Sequence, residues 1–423
     1  MTAAAAPSVS PRTYVPQDQL YVWALVNPAM PTLAGTVSLS QLVADCAAFS
    51  YAPDWWNFAL SQDLPLVQGQ LFSNNEKHTA PGAIDDARPD RWGERIIRHI
   101  DRPARLSILE MLLFAGDDRF GALGISTSAE HYLPRYIGPY PQLKDLRQLA
   151  AAVEDVQTQA PITPEMQRLV QPGVTLGGAR PKALLQTDNG PCVIKFSELD
   201  DPVDTPLIEH ATMTLAAQAG LYTADTAVLP LPMRYGKARH VLTIARFDRM
   251  GPFRVHCQSA HTALRAAGLE LSYSALASIL LRLGHPERQA AMREELFKRM
   301  VFNILMDNTD DHERNHSLSL HLGDGYYDLS PAYDVVPSLQ NLGYQALSVG
   351  SMGTESSLEN ALTQINEYGL KRPRAIALVQ QVAAAVDQWA AHFQALGVSP
   401  VDMEQLAASI DRDALRLQRQ AFL

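Results

Sequence analysis

Three residues between positions 310 and 334 have the types and the order that phosphoryl transfer requires. Asp310 lies in a polar stretch, 307–315, that follows an apolar-patterned segment ending near Met306. Asn315 stands five positions later, and Asp334 lies beyond a predicted hairpin turn, Gly323-Asp324-Gly325. Such chemistry asks for a carboxylate to orient the attacking hydroxyl and accept its proton. It also asks for oxygen ligands that keep Mg²⁺ on the phosphates. Positioning and charge stabilisation do the rest. Taken singly, each of these residues is ordinary turn chemistry, because Asp and Asn bond their own backbone. The weight comes from all three in this order, at a helix exit and beside a hairpin.

A second block, 173–196, supplies what could hold a nucleotide. Gly173, Gly177 and Gly178 make a flexible loop, running through Ala179 to Lys182, whose backbone N–H groups could cradle phosphates. Alternating residues on both sides of Asn189-Gly190 predict a hairpin. Its second strand carries Lys195 between Ile194 and Phe196, where burial would demand an anionic partner. Asp204-Thr205-Pro206 then reads as a helix start, with a capping residue and proline at the first position. Glu209 falls in the first turn of that helix, 14 residues after Lys195. Protein kinases use this order: a strand lysine, a helix glutamate that aims it at the phosphates, a catalytic Asp, an Asn five residues on, and a metal-binding Asp. A strand over 240–249 would pass the adenine pocket, making Ala245 and Phe247 candidate adenine contacts.

Composition bounds the alternatives. The chain has 423 residues, 47% hydrophobic and 19% charged, which is enough for two or three soluble domains. Its net charge of −10 argues against nucleic-acid binding as the primary task. Cys46, Cys192 and Cys257 show no metal spacing and suggest a reduced, cytoplasmic setting. The opening residues lack the pattern of a signal peptide, and no apolar run approaches the ~18 residues of a membrane span. Strands are expected around 20–38, and helices over 90–100, 107–114 and 143–159. Residues 116–124 read as a tight turn. Beyond about 255 the helical segments are 272–283, 287–306, 374–396 and 401–420. The organisation is a β-rich part over 14–135, a nucleotide-gripping part over 136–250 and a helical part over 251–423.

The segments VTLGGARPKALL, VIKF, LIEHATMTLAAQAGL, ARFDR, FNILMDNTDDHERNHSL and LSPAYDVVP occur in the order seen in HipA-family toxin kinases, which the chain resembles over roughly 20–420. The resemblance implies an α+β, two-lobed, protein-kinase-like fold related to phosphatidylinositol kinases, with an all-helical C-terminal lobe. It implies a serine/threonine protein kinase of a toxin–antitoxin system, using ATP and Mg²⁺. Asp310 would be the catalytic base, Asn315 and Asp334 the metal ligands, and Lys195 the phosphate grip. His312 and Tyr333 would shape the pocket. It further implies a translation protein as substrate, commonly an aminoacyl-tRNA synthetase. The other implied partner is a small helix-turn-helix antitoxin, through which alone DNA would be met. Two departures stand out. Thr175 replaces an autophosphorylated serine, and Gln258-Ser259-Ala260 stands where the family tends to show Gln-Glu-Asp.

Other readings use the same residues. A small-molecule or lipid kinase would need the same catalytic set. A two-metal hydrolase or nuclease could use Asp307, Asp310, Asp311 and Asp334, but it leaves Lys195, Glu209 and the glycine loop unexplained. A non-catalytic scaffold has no need to retain Lys195, Asp310, Asn315 and Asp334 together.

Overall fold

The computed structural model describes residues 14–41, 43–135, 139–170, 173, 179–231 and 239–423. They fall into two compact units. The first holds the described residues up to Leu199 together with 246–258, and the second holds 200–231, 239–245 and 259–423. The chain therefore crosses from one unit to the other more than once.

In the first unit, alternating apolar residues make strands with one buried face. Leu20 and Val22 of β1 (Gln19–Ala24) are fully buried. Strand β1 pairs antiparallel with β2 (Thr32–Leu39) and β5 (Leu123–Ser126). With β3 (Ala47–Tyr51) and β4 (Phe72–Ser73) they form a five-stranded sheet in the order β4-β3-β2-β1-β5. A helix, Ile108–Phe114, packs Ile108, Leu109, Leu112 and Phe114 into the same core as Leu20, Val22, Val37 and Phe49. Its start is set by a capping box between Ser107 and Glu110, which satisfies two otherwise orphaned donors. The helix expected over 90–100 is regular only over Arg91–Ile96. It then widens to a π turn, Ile97–Asp101, and stops at Arg102 with φ +47°. Strands β6 (Lys182–Thr187) and β7 (Gly190–Lys195) form the expected hairpin. The register makes Asp188-Asn189 the two-residue loop, and Gly190 accommodates φ +117° just after it.

The 116–121 loop is more than a turn. Asp118 pairs with Arg246 at 3.1 Å and with Arg249 at 2.5 Å. Asp248 accepts hydrogen bonds from Arg246, Arg249 and the Gly121 amide, the last at 2.8 Å. Arg119 is fully buried and donates to the Ala87, Leu112 and Gly116 carbonyls. These bonds tie 246–254 to the loop within one unit. Burial pushes the Asp248 carboxyl up, but Arg246 and Arg249 outweigh it and hold it well below the ordinary aspartate value.

The second unit is mixed, with two antiparallel strand pairs, and only the later one falls within 251–423, where a short hairpin interrupts the expected helical part. Strands β8 (Thr226–Leu231) and β9 (Arg239–Ala245) pair antiparallel. A later hairpin joins Ser317–Leu320 to Tyr327–Leu329, with Leu318 opposite Leu329. The helix Thr205–Gln218 begins where Pro206 predicts, but Asp204 does not cap it with its side chain. That carboxylate accepts instead from His240 Nδ1 at 2.7 Å. Two helices expected to be continuous are each broken. The first becomes Arg372–Val386 and Trp389–Ala395, and the second becomes Pro400–Ile410 and Asp413–Gln420. At the first break the Trp389 indole turns to donate to Asp411 at 3.1 Å. At the second the Arg412 backbone is extended (φ −55°, ψ +145°). Among the described residues the three cysteines are buried and free, and no helix is long and apolar enough to cross a membrane.

Arg246→Met takes one of its two guanidinium partners from each of two buried carboxylates, Arg249 remaining on both, and is expected to cost about 3 kcal/mol in urea unfolding. The contribution of Asp248 has a defined pH window. A depressed carboxyl stabilises the fold above its unfolded value, near about 3.9, and loses that effect only as pH falls through its lower folded value. A loss under about 1 kcal/mol would match a solvated surface pair instead of a buried cluster.

Candidate active site

The helix Gln289–Leu305 is buried along Phe297, Met300, Val301 and Ile304 and delivers the polar loop at its C-terminal end. In this loop Asp310 is the exposed acid, while Asp307, Asn308, Thr309 and Asp311 on either side of it are buried. The Asp310 carboxyl is raised above its ordinary value. Partial desolvation is the main cause, opposed by His312 and reinforced by the charges of Asp334 and Asp311. The influence of Asp334 shows that the two expected acids share one neighbourhood. Asp334 is half-buried and has φ +59°, a left-handed conformation that Asp tolerates better than most residues.

Asn315 completes the group. Its side-chain N–H donates to the Asp310 carbonyl at 3.3 Å, and its amide N–H donates to the His312 carbonyl at 2.9 Å. The remaining amide oxygen, Oδ1, is buried and has no hydrogen-bond partner among the described residues. A buried acceptor left in this state costs free energy unless something binds it. An oxygen held ready five residues after an exposed acid suits a hard cation. Mg²⁺ commonly takes only one or two protein oxygens and leaves its other positions to water and phosphates. Among the described residues no group of three or more His, Cys, Asp or Glu could hold a metal.

Around these three groups the loop is held by buried polar bonds. Asp311 accepts from the Tyr273 hydroxyl and from His316 Nε2, the latter at 2.8 Å. Burial would raise its carboxyl, but His316 and Tyr273 bring it below the ordinary value. His261 Nδ1 meets Glu313 at 2.8 Å. Although partial burial opposes the shift, the His261 hydrogen bond helps bring Glu313 down to about 2. Asp307, at φ +55°, accepts from Ser409 at 2.5 Å and from Arg412 at 2.6 Å. The two-metal reading therefore loses two of its four carboxylates, because Asp307 and Asp311 are committed to protein partners.

Most of the other sequence candidates are held by protein neighbours. Tyr333 is 4% exposed, and its hydroxyl donates to the Arg314 carbonyl at 3.0 Å, so it braces the loop. His312 caps the short 3₁₀ turn Glu313–Asn315 by accepting from the Arg314 amide at 3.2 Å. Lys182 is fully buried, with its ammonium paired to Asp90, an arrangement that suits a structural pair better than a mobile phosphate contact. The Ala245 amide is committed to the Asp225 carbonyl at 2.9 Å. The Phe247 ring packs edge-on against Phe120, with centroids 6.1 Å apart. Lys195 ends β7 in the first unit and Glu209 lies on the Thr205–Gln218 helix of the second, each 2% exposed. Such burial requires charge compensation for both. Ala179 is a bend residue, whereas Thr175, Gly177 and Gly178 lie outside the described residues. Ser259, in the departure from the acidic motif, caps the helix Ala260–Ala266 by accepting from the Thr262 amide.

Sequence reasoning missed the supports: Tyr273, His316, His261, Ser409 and Arg412. Asp311 and Glu313 were visible as acids in the loop, but nothing local marks partners 38 or 52 residues earlier.

Comparisons with known proteins agree with this architecture. Residues 30–126 match the HipA N-terminal domain, and residues 174–390 match the HipA-like C-terminal domain. The chain belongs to the HipA family. A Haemophilus influenzae protein, whose own assignment as a kinase is provisional, is 25% identical over 228 residues, covering 47% of this chain and 64% of the relative. The chain thus matches slightly less than two thirds of that relative's length. The structure of Shewanella oneidensis HipA, in a complex with HipB and operator DNA, has a TM-score of 0.67 at 17% identity. The match covers 95% of this chain and 97% of that one. The mixed α/β fold is therefore shared with HipA. The Helicobacter pylori proinflammatory kinase CtkA gives a TM-score of 0.43 at 12% identity, over 57% of this chain and 94% of its own, too slight a likeness to define the fold.

Removing the Asp311 carboxylate leaves two buried donors unpaired. Asp311→Ala is expected to lower stability by about 3 kcal/mol in denaturant unfolding, at about 1–3 kcal/mol for each stranded group. A change below about 0.5 kcal/mol would mean that Tyr273 and His316 do not depend on it.

Proposed function

We propose that the protein is an ATP–Mg²⁺-dependent protein kinase that acts on serine or threonine hydroxyls. The observation that carries this reading is the pairing of exposed Asp310 with the unpartnered, buried Asn315 Oδ1 on one loop, within the electrostatic reach of Asp334. Asp310 orients the acceptor hydroxyl and takes its proton. Its carboxyl, raised by partial desolvation, is a better proton acceptor than that of an ordinary aspartate. Asn315 and Asp334 would hold Mg²⁺, which when bound supplies positive charge against the phosphates. By the family pattern Lys195 is the lysine that grips the nucleotide phosphates and Glu209 the helix glutamate. Thr175, by the family pattern, is the hydroxyl open to self-phosphorylation. A phosphate there adds about −1.5 to −2 charges beside an anionic ligand and would oppose ATP binding.

The HipA relative was solved with HipB and operator DNA. By that likeness we assign this chain a small helix-turn-helix antitoxin as partner, with DNA reached only through it. The family pattern makes a cytoplasmic translation protein the substrate. The net charge of −10 supports indirect rather than direct contact with DNA.

Two variants separate the roles. Asp334→Asn is expected to abolish Mg²⁺-dependent ATP binding in calorimetry, since a neutral amide is the weaker ligand for a hard cation. Asp310→Asn should bind ATP–Mg²⁺ nearly as the parent does while losing about 10²–10⁴ in turnover. Unchanged ATP–Mg²⁺ affinity in Asp334→Asn would remove the metal role, and lost binding in Asp310→Asn would place that residue on the metal instead.

A further inference from the structure

Asp307 is a fully buried acid in a left-handed backbone conformation, three residues before Asp310. One carboxylate oxygen takes a hydrogen bond from Arg412 Nη1 at 2.6 Å, and the other takes one from the Ser409 hydroxyl at 2.5 Å. Both donors also reach Asn341 Oδ1, at 3.0 Å from Arg412 and 2.9 Å from Ser409. The Asp307 carbonyl accepts from the amide and the hydroxyl of Ser338, each at 3.0 Å. The Ser338 hydroxyl in turn lies 2.7 Å from that of Thr309. These bonds close a ring through three distant stretches of chain. One stretch precedes Asp310, one follows Asp334, and the third is the break between the helices Pro400–Ile410 and Asp413–Gln420.

We propose that Arg412, assisted by Ser409, is a positioning residue for phosphoryl transfer, fixing the relation between Asp310 and Asp334 from about 100 residues away in sequence. This rests on the function proposed above. Both residues lie beyond 174–390, the stretch matched by the HipA-like C-terminal domain. The physical need is specific. A buried carboxylate requires a cation or several donors, and a non-glycine residue at positive φ persists where its surroundings over-determine it. Arg412 meets the first need and helps to meet the second. Its extended backbone interrupts what the sequence suggests is one continuous helix and lets the guanidinium reach the loop. One nitrogen, Nη1, serves both Asp307 and Asn341, so a lysine ammonium could replace it.

The test uses the full chain and two readouts. Arg412→Ala is expected to lower kcat about 10–100-fold, as for a small misplacement of a reacting group, with the KM for ATP essentially unchanged. Arg412→Lys should recover most of the loss. Hydrogen exchange of the 307–315 and 335–341 amides should quicken in Arg412→Ala and return toward the parent rate in Arg412→Lys. If Arg412→Ala does not fold, Ser409→Ala removes one bond from the same carboxylate and should show the same signature at smaller size. Parent-like kcat in Arg412→Ala, under conditions where Asp310→Asn is inactive, would overturn the proposal. So would a lowered melting temperature with kcat unchanged well below it. A parent protein that transfers no phosphoryl group would instead refute the proposed function. The exchange comparison would still decide the linkage, since unchanged exchange in both segments overturns it.

Discussion

Asp307, Asp310 and Asp311 place three carboxylates within five consecutive residues, and the fold must keep them in one fixed arrangement. Like charges about 4 Å apart repel by about 4 kcal/mol at an effective dielectric near 20, so the loop cannot leave all three to share one environment. The structure separates them by partner. Asp307 is neutralised by Arg412 and Ser409, and Asp311 is held by Tyr273 and His316, leaving Asp310 as the acid that faces solvent. The buried acids thereby fix the backbone that carries the exposed one. Asn315 folds back on the Asp310 carbonyl and keeps one oxygen uncommitted. The chemistry proposed for the site depends on this division of labour.

The same logic recurs in the first unit, with charges that serve structure alone. Arg246, Arg249, Asp118 and Asp248 neutralise one another out of water and bind the 116–121 loop to the segment 246–254. The Arg-Phe-Asp-Arg run that helped to carry the family resemblance is, in this fold, mainly a structural knot. Its phenylalanine packs on Phe120. Lys182 and Asp90 form another such pair, which places a lysine beside a glycine-rich stretch for reasons of burial.

What the sequence made legible follows from how local the physics is. The β6–β7 hairpin, the helix start at Pro206 and the hairpin after 316 each rest on turn chemistry and periodicity within a few residues, and each appears close to where these place it. The expected helix at 401–420 failed at Arg412 because a tertiary demand, the burial of Asp307, outweighs local helical pattern. The Asp204 carboxylate likewise accepts from a distant side chain, His240, and makes no cap bond to the helix that follows it. Asp310, Asn315 and Asp334 could be chosen from order and spacing, whereas the bonds that Tyr333 and His312 make to the Arg314 backbone follow from their neighbours and not from their types. Four supports of the loop, Tyr273, His261, Ser409 and Arg412, were invisible for the same reason: they lie 38 to 105 residues from their partners.

The account's central claim is that this loop moves a phosphoryl group from ATP to a hydroxyl. Intact-mass measurement of the purified chain after incubation with ATP and Mg²⁺ tests it most directly, with sites then mapped by peptide analysis. The account predicts a gain of one phosphoryl group that needs Mg²⁺, is lost in Asp310→Asn and maps to Thr175. Unchanged mass, with no transfer to any added hydroxyl acceptor under conditions where ATP is bound, would contradict it.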